Sequence, residues 1–120
     1  MVQTQVFRVP SESELNVFAR LLEVAFPGRD ELKEQLANSV VRPIDEYGSL
    51  EIKTQSESSA DVVKTVPVEA ETKDSDGIAV HYLLHVRDGR AIELDVFKDD
   101  GSPLKRPPSP GDLRVVVLPA

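Results

Sequence analysis

Carboxylate and imidazole side chains recur through the second half of the chain, and these are groups that bind metal ions or transfer protons in proteins. The sequence contains two histidines and no cysteine. If the runs around Glu71, His81 and Asp95 pair as neighbouring strands, these three side chains form one row across a sheet. We therefore expect any chemistry of the chain to centre on this row of carboxylate, imidazole and carboxylate.

The register of the row depends on two turns that each contain an Asp-Gly pair. Loops of three residues, 75–77 and 87–89, place the apolar residues of three runs on one face of a meander. Loops of two residues would shift each pairing by one and place, for example, Asp95 opposite Tyr82. Because a carboxylate among apolar side chains costs free energy, we predict three-residue loops at both turns.

The meander predicted in this way has one apolar face and one acidic face. The apolar face is expected to hold Val66, Val68, Ala70, Thr72, Ile78, Val80, Tyr82, Leu84, Val86, Ile92, Leu94 and Val96. The acidic face is expected to hold Glu69, Glu71, His81, Glu93 and Asp95, with His85 opposite Ala91.

Geometry favours a solvated sheet face over a metal or catalytic site on the acidic face. Neighbouring strands lie about 4.8 Å apart, so Glu71 and Asp95 are expected about 10 Å from each other on an open surface. We interpret Glu69, Glu71, His81, Glu93 and Asp95 as a solvated or partner-binding face, without catalytic residues, metal or cofactor. A small-molecule- or metal-dependent enzyme that uses Glu71, His81 and Asp95 stays open as the alternative.

Other short motifs of the sequence are better explained as turns. The run 74–77, Asp-Ser-Asp-Gly, is similar to part of a calcium loop, but the acid that such a loop requires at position 83 is replaced by Leu83. The serines lack a histidine at any recognisable motif spacing, so the sequence does not favour a hydrolase.

Two helices are predicted before the meander. Ser11 and Glu14 form a capping box, which predicts a helix that ends before Pro27-Gly28. Its apolar stripe is predicted to hold Leu15, Phe18, Leu22, Ala25 and Phe26. Asp30 is predicted to cap a shorter helix that carries Leu32 and Leu36 and ends near Asn38 or Ser39.

The remaining runs complete an α+β domain that spans residues 1–120. Residues 48–52 predict a first strand, and the polar run 55–61 predicts a loop. Residues 99–112 contain too many prolines and glycines for a regular element, and residues 113–118 predict a last strand, docked at a sheet edge or largely buried on both faces. We expect two N-terminal helices packed on one face of a mostly antiparallel sheet of four to five strands.

Composition limits the classes of partner. Twenty-one acidic and 14 basic residues give a net charge of -7, which repels nucleic acid and favours a basic protein such as a toxin. No run of apolar residues is long enough to span a bilayer, and the lack of cysteine fits a reducing compartment. We expect a cytoplasmic protein that binds neither nucleic acid nor membrane; nothing in the sequence indicates its oligomeric state.

The run Glu93–Lys98 followed by Ser102-Pro103-Leu104 resembles a family of small bacterial proteins known only as a domain of unknown function. Members of that family tend to read ELD, an aromatic residue and lysine, and then SPL. Residues 48–50 and 74–77 and the capped N-terminal helix are similar to the same family. The resemblance implies a small stand-alone bacterial domain without a known activity, and such acidic domains are often immunity proteins or accessory partners in toxin systems.

Overall fold

A computed structural model of the chain describes residues 6–106 and 109–117. Within these residues it contains two helices and six strands, so the α+β class is confirmed. The elements are α1 (Glu12–Leu21), α2 (Arg29–Ala37), β1 (Ser39–Pro43), β2 (Leu50–Thr54), β3 (Val68–Lys73), β4 (Ala79–Arg87), β5 (Arg90–Lys98), a 3-10 turn (Pro110–Asp112) and β6 (Arg114–Val117).

The predicted capping box starts α1. The Ser11 hydroxyl accepts a hydrogen bond from the Glu14 N–H at 3.2 Å, and the Glu14 carboxylate accepts one from the Ser11 N–H at 2.9 Å. The predicted stripe is wrong in part, because Leu15 is 41% exposed and the helix ends before Ala25 and Phe26. The side chains of α1 that are buried are Val17, Phe18 and Leu21.

The second helix begins two residues earlier than predicted, so Asp30 lies in its first turn and is not its cap. Gly28 is its N-cap residue, with a left-handed φ of 90° and no side-chain cap. A Cβ on Gly28 would lie 2.8 Å from a methyl carbon of Val62, so glycine also permits close packing of the loop that follows β2. Leu32 and Leu36 are buried, as predicted.

All described strands pair antiparallel in the order β1-β2-β5-β4-β3-β6. The sheet therefore has six strands, and the predicted number of four to five is wrong because β1 was missed. Its apolar signal is only the pair Val40-Val41, and it is paired with β2 and joined to Arg8 by an isolated bridge at Val41. The last strand lies at an edge beside β3, which is one of the two predicted placements.

The two hairpins of the meander use different loops. The turn after β3 has the predicted register, with Glu71 opposite His81 and the Asp74 N–H bonded to the Ile78 carbonyl at 2.9 Å. The turn after β4 has only two loop residues, Asp88 and Gly89, with φ of 51° and 76°. Both φ values are positive, as a type I′ turn requires, so the predicted three-residue loop is wrong at this turn.

With the two-residue turn alone, the apolar residues of β5 would lie opposite open-face residues of β4. A β-bulge in β5 restores the pairing that keeps them in the core. Val86 lies opposite Ala91, but His85 lies opposite Glu93, so Ile92 is the extra residue of β5. Ala91 is buried and Ile92 only half-buried, contrary to the predicted apolar face. Beyond the bulge, Leu94 and Val96 point to the core as predicted.

The helices and the inward side chains of the sheet form one hydrophobic core. Buried residues of α1 and α2 pack with alternate residues of β1 to β5, among them Val41, Ile52, Val68, Ala70, Tyr82, Leu84 and Val96. The other side chains of these strands are half-buried or exposed, and we call the side that they occupy the open face. None of the helices described is long and apolar enough to cross a membrane.

Candidate functional site

The open face carries all five residues of the predicted partner surface. Glu69 and Glu71 lie on β3, His81 on β4, and Glu93 and Asp95 on β5, each half-buried. These three strands are adjacent in the sheet, so the five side chains lie on one continuous surface.

The predicted row of Glu71, His81 and Asp95 does not form. Glu71 does lie opposite His81, but the residue opposite His81 on β5 is Phe97. The two-residue loop and the bulge each shift β5 by one residue from the predicted register, and Asp95 therefore lies opposite Leu83. The prediction failed because one sequence run can form either a three-residue loop or a two-residue loop with a bulge, and both keep the apolar side chains inside.

His81 interacts with an aromatic ring and a different carboxylate. Its ring stacks on Phe97 with the centroids 4.8 Å apart and the planes at 20°. Its Nε2 lies 2.6 Å from the Asp99 carboxylate, which is at the end of β5. These contacts occupy one ring nitrogen and one ring face, so they fix the orientation of the His81 ring on the open face.

The bulge instead brings together His85, Glu93 and Asp95. One ligand-type atom from each of these residues lies within 4.8 Å of the other two. The His85 Nε2 is 3.7 Å from the Asp95 carboxylate, too far for a hydrogen bond. This nitrogen is shielded from solvent and has no hydrogen-bond partner among the residues that the structure describes.

The centre of the open face combines apolar and acidic side chains. Leu83 is flanked by Glu69 on β3 and Asp95 on β5, and the residue beyond Glu69 on β6 is Val116. Val116 and Phe97 are 41% and 40% exposed. Such a pattern of apolar residues bordered by charge is typical of protein-binding surfaces.

Several basic side chains lie around this centre. Arg114 on β6 is 3.7 Å from Glu71, and Arg42 on β1 donates to Glu51 on β2 at 2.8 Å. The Arg42 guanidinium also lies 4.5 Å above the ring of Phe7. Among the described residues, no lysine or arginine pairs with Glu69, Glu93 or Asp95, and the contact of the His85 Nε2 with Asp95 is 3.7 Å long.

A second cluster of charges is buried at the other face of β5. Lys98 points into the protein, and its side chain is 0% exposed. Its ammonium donates to Asp74 at 3.0 Å, to Asp76 at 2.6 Å and to the Pro103 carbonyl at 3.3 Å. All three donor hydrogens of the ammonium therefore have acceptors.

These contacts shift the pKa values of the cluster. The Lys105 N–H and the Lys98 ammonium hold the pKa of Asp74 well below its usual range. Lys98 and the Ile78 N–H lower the pKa of Asp76 as well. Burial alone would lower the pKa of Lys98, but its hydrogen bonds to Asp76 and Asp74 raise it above the ordinary lysine value.

Sequence reasoning missed this cluster, although two signals pointed to it. The period of two that places Leu94 and Val96 inside also places Lys98 inside. The segments that carried the family resemblance, including 74–77 and 102–104, meet at the Lys98 ammonium. Ser49 of a third segment bonds the Val96 backbone on the same strand. These motif residues therefore support the fold.

Two surface depressions are lined by other residues. One of about 590 Å³ lies between residues 59–65 and 86–89, and one of about 190 Å³ lies between α1, the start of β2, Tyr82 and Leu94. Neither is lined by the five residues of the predicted surface. The carboxylates of the open face thus lie on a surface and not in either depression.

Comparison with known proteins places the chain in a family. No curated protein and no solved structure matches it. A family model described as a domain of unknown function, DUF6984, matches residues 7–108, which is most of the chain. The predicted membership of a family known only as a domain of unknown function is thereby confirmed, and the chain belongs to the DUF6984 family.

Proposed function

We propose that this domain is a protein-interaction module that binds a basic partner through its open face, as an immunity protein binds and blocks a bacterial toxin. The observation that carries the proposal is the centre of that face, where Leu83 lies between Glu69 and Asp95. An apolar centre supplies binding free energy, and surrounding charges select the partner and steer its approach.

The charge of the whole chain supports the same kind of partner. A net charge of -7 attracts a cationic protein over a distance of about one Debye length, roughly 8 Å at physiological salt. Glu93 adds to the negative field of the face. Its neighbour on β2, Glu51, is compensated by Arg42 at 2.8 Å, so the charge at this position is that of Glu93.

The alternative of an enzyme that uses Glu71, His81 and Asp95 has less geometric support. Asp95 is not in the row of the other two residues, and His81 is engaged by Asp99. Neither depression described above contains any of the three residues. We therefore rank the interaction module first.

Affinity capture from a lysate of the source cell, with two charge-reversed variants, tests the proposal. The face variant carries Glu69→Lys and Asp95→Lys. The helix variant carries Glu12→Lys and Glu31→Lys, two exposed residues of the helices, and has the same net charge. We expect the wild type and the helix variant to retain the same basic protein, and the face variant to lose it.

A partner retained equally by both variants would show that the open face is not the binding surface. An acidic partner that is retained by the wild type would contradict the electrostatic argument. Circular dichroism of each variant provides the folding control.

A further inference from the structure

We propose that His85, Glu93 and Asp95 form a binding site for a single divalent transition-metal ion such as Zn²⁺. The inference concerns the isolated domain and does not depend on the proposed partner. It rests on the ligand types, their spacing and the environment of one nitrogen atom.

The spacing of the three side chains is close to what a small cation requires. Adjacent ligands of a tetrahedral zinc ion lie about 3.4 Å apart, given metal–ligand distances of about 2.0–2.2 Å. The His85 Nε2 and the Asp95 carboxylate are 3.7 Å apart, and the whole set lies within 4.8 Å. Small rotations of the Glu93 and Asp95 side chains would complete three ligands and leave a fourth position open to solvent.

The His85 Nε2 is a polar atom that lacks a partner in the described part of the chain. It is shielded from solvent, although the imidazole as a whole is about one-third exposed. Buried nitrogens of this kind are normally hydrogen-bonded, so an unpaired one beside two carboxylates is suited to act as a metal ligand. A metal ion would accept the nitrogen lone pair and neutralise charge of the two carboxylates together.

The backbone holds the set in place. Glu93 lies directly opposite His85, and Asp95 is the next residue of β5 on the same face. The bulge at Ile92 creates this alignment, because the predicted register would have placed Ala91 opposite His85. Imidazole with carboxylate favours zinc and similar transition metals over Mg²⁺, which prefers oxygen ligands and retains its waters.

Isothermal titration calorimetry of the chelator-treated full chain with ZnCl₂ and with MgCl₂ tests the site. We expect one Zn²⁺ per chain and much weaker Mg²⁺ binding. His85→Ala, Glu93→Gln and Asp95→Asn should each weaken zinc affinity by at least about tenfold. Even the loss of a residue that only hydrogen-bonds to a metal ligand typically has an effect of about that size.

His81→Ala is the matched control, because it removes the other histidine of the same strand and face. This variant should bind zinc like the wild type, and zinc should shift the NMR signals of the His85 ring and not those of His81. Absence of saturable zinc binding would overturn the site. So would zinc affinity that is lost in His81→Ala but retained in the three cluster variants.

Discussion

The ammonium of Lys98 is the most constrained charge of the molecule. A buried ammonium is tolerated only when its donors are satisfied and its charge is compensated, and Asp74 and Asp76 provide both. The Lys105 N–H donates to Asp74 at 2.7 Å, which ties the segment after β5 to the turn after β3. At the scale of single residues, we therefore expect this cluster to contribute to the pH dependence of stability.

Asp74→Asn keeps the shape of the side chain but removes its charge, and should lower the midpoint of thermal unfolding at pH 7. The folded pKa of Asp74 is depressed, so its stabilisation is present above the unfolded pKa of about 3.9 and is lost as the pH falls through the folded pKa. The difference between wild type and variant should therefore shrink in strong acid. Unfolding midpoints between pH 7 and pH 2 measure it.

Asp99→Asn is the control, because Asp99 pairs with His81 on the surface and is more than half exposed. Exposed ion pairs contribute at most about 1 kcal/mol, so this variant should follow the wild-type curve closely. Parallel curves for Asp74→Asn and wild type across the acid range would show that the buried cluster does not govern acid stability. On the alkaline side, the stabilisation by Lys98 is fully present below about pH 10.4 and lost as the pH rises through its raised folded pKa.

At the scale of elements, Gln35 joins α2 to the loop after β2 and to the hairpin after β4. Its Nε2 donates to the Ser58 carbonyl at 2.8 Å and to the Gly89 carbonyl at 2.7 Å. Its Oε1 accepts from the Ala91 N–H at 2.9 Å. The side chain is fully buried and bonds three backbone groups, of which the Gly89 carbonyl also accepts from the Ala60 N–H.

Gln35→Met keeps the volume of the side chain but leaves the Ser58 carbonyl and the Ala91 N–H without their partner. We expect a loss of about 2–4 kcal/mol in the free energy of unfolding, because each buried unpaired group costs about 1–3 kcal/mol. Lys33→Met on the exposed side of the same helix should change it by no more than about 0.5 kcal/mol. Urea denaturation compares the two, and equal losses would contradict the linking role of Gln35.

Two glycines test the loop assignments of the meander. Gly77 and Gly89 both have positive φ, 83° and 76°. A Cβ on Gly77 would meet open space, so Gly77→Ala should cost only about 1–2 kcal/mol for the left-handed conformation. A Cβ on Gly89 would collide with the Ser59 hydroxyl and lie 3.2 Å from the Ala60 carbonyl, so Gly89→Ala should cost more. Similar unfolding free energies for the two variants would contradict this packing.

Elements with a strong local signal were predictable from the sequence. The capping box of α1, the burial of Leu32 and Leu36, and the register of the first hairpin each depend on contacts between near neighbours. The bulge in β5 was not predictable, because it is held by Gln35 from a distant helix. Because the predicted register of β5 was wrong, the predicted site was wrong as well. The histidine that lies near two carboxylates of β5 is His85 instead of His81.

At the scale of the whole molecule, the fold separates two groups of charges. The Lys98 cluster is internal and supports the structure, whereas the carboxylates of the open face are half-exposed and do not have a full set of partners within the described chain. The helices cover the opposite face of the sheet. Leu83, Phe97 and Val116 are the apolar side chains of this face that we propose to contact the partner.

The association rate of the captured partner, measured at low and high salt with wild type, face variant and helix variant, tests the central claim most directly. Steered association is fast at low ionic strength and slows as salt screens the charges. We predict that the rate falls with salt for wild type and helix variant, and that Glu69→Lys with Asp95→Lys is slow at every salt concentration. A rate that is independent of salt, or equal in the two variants, would contradict binding of a basic partner at the open face.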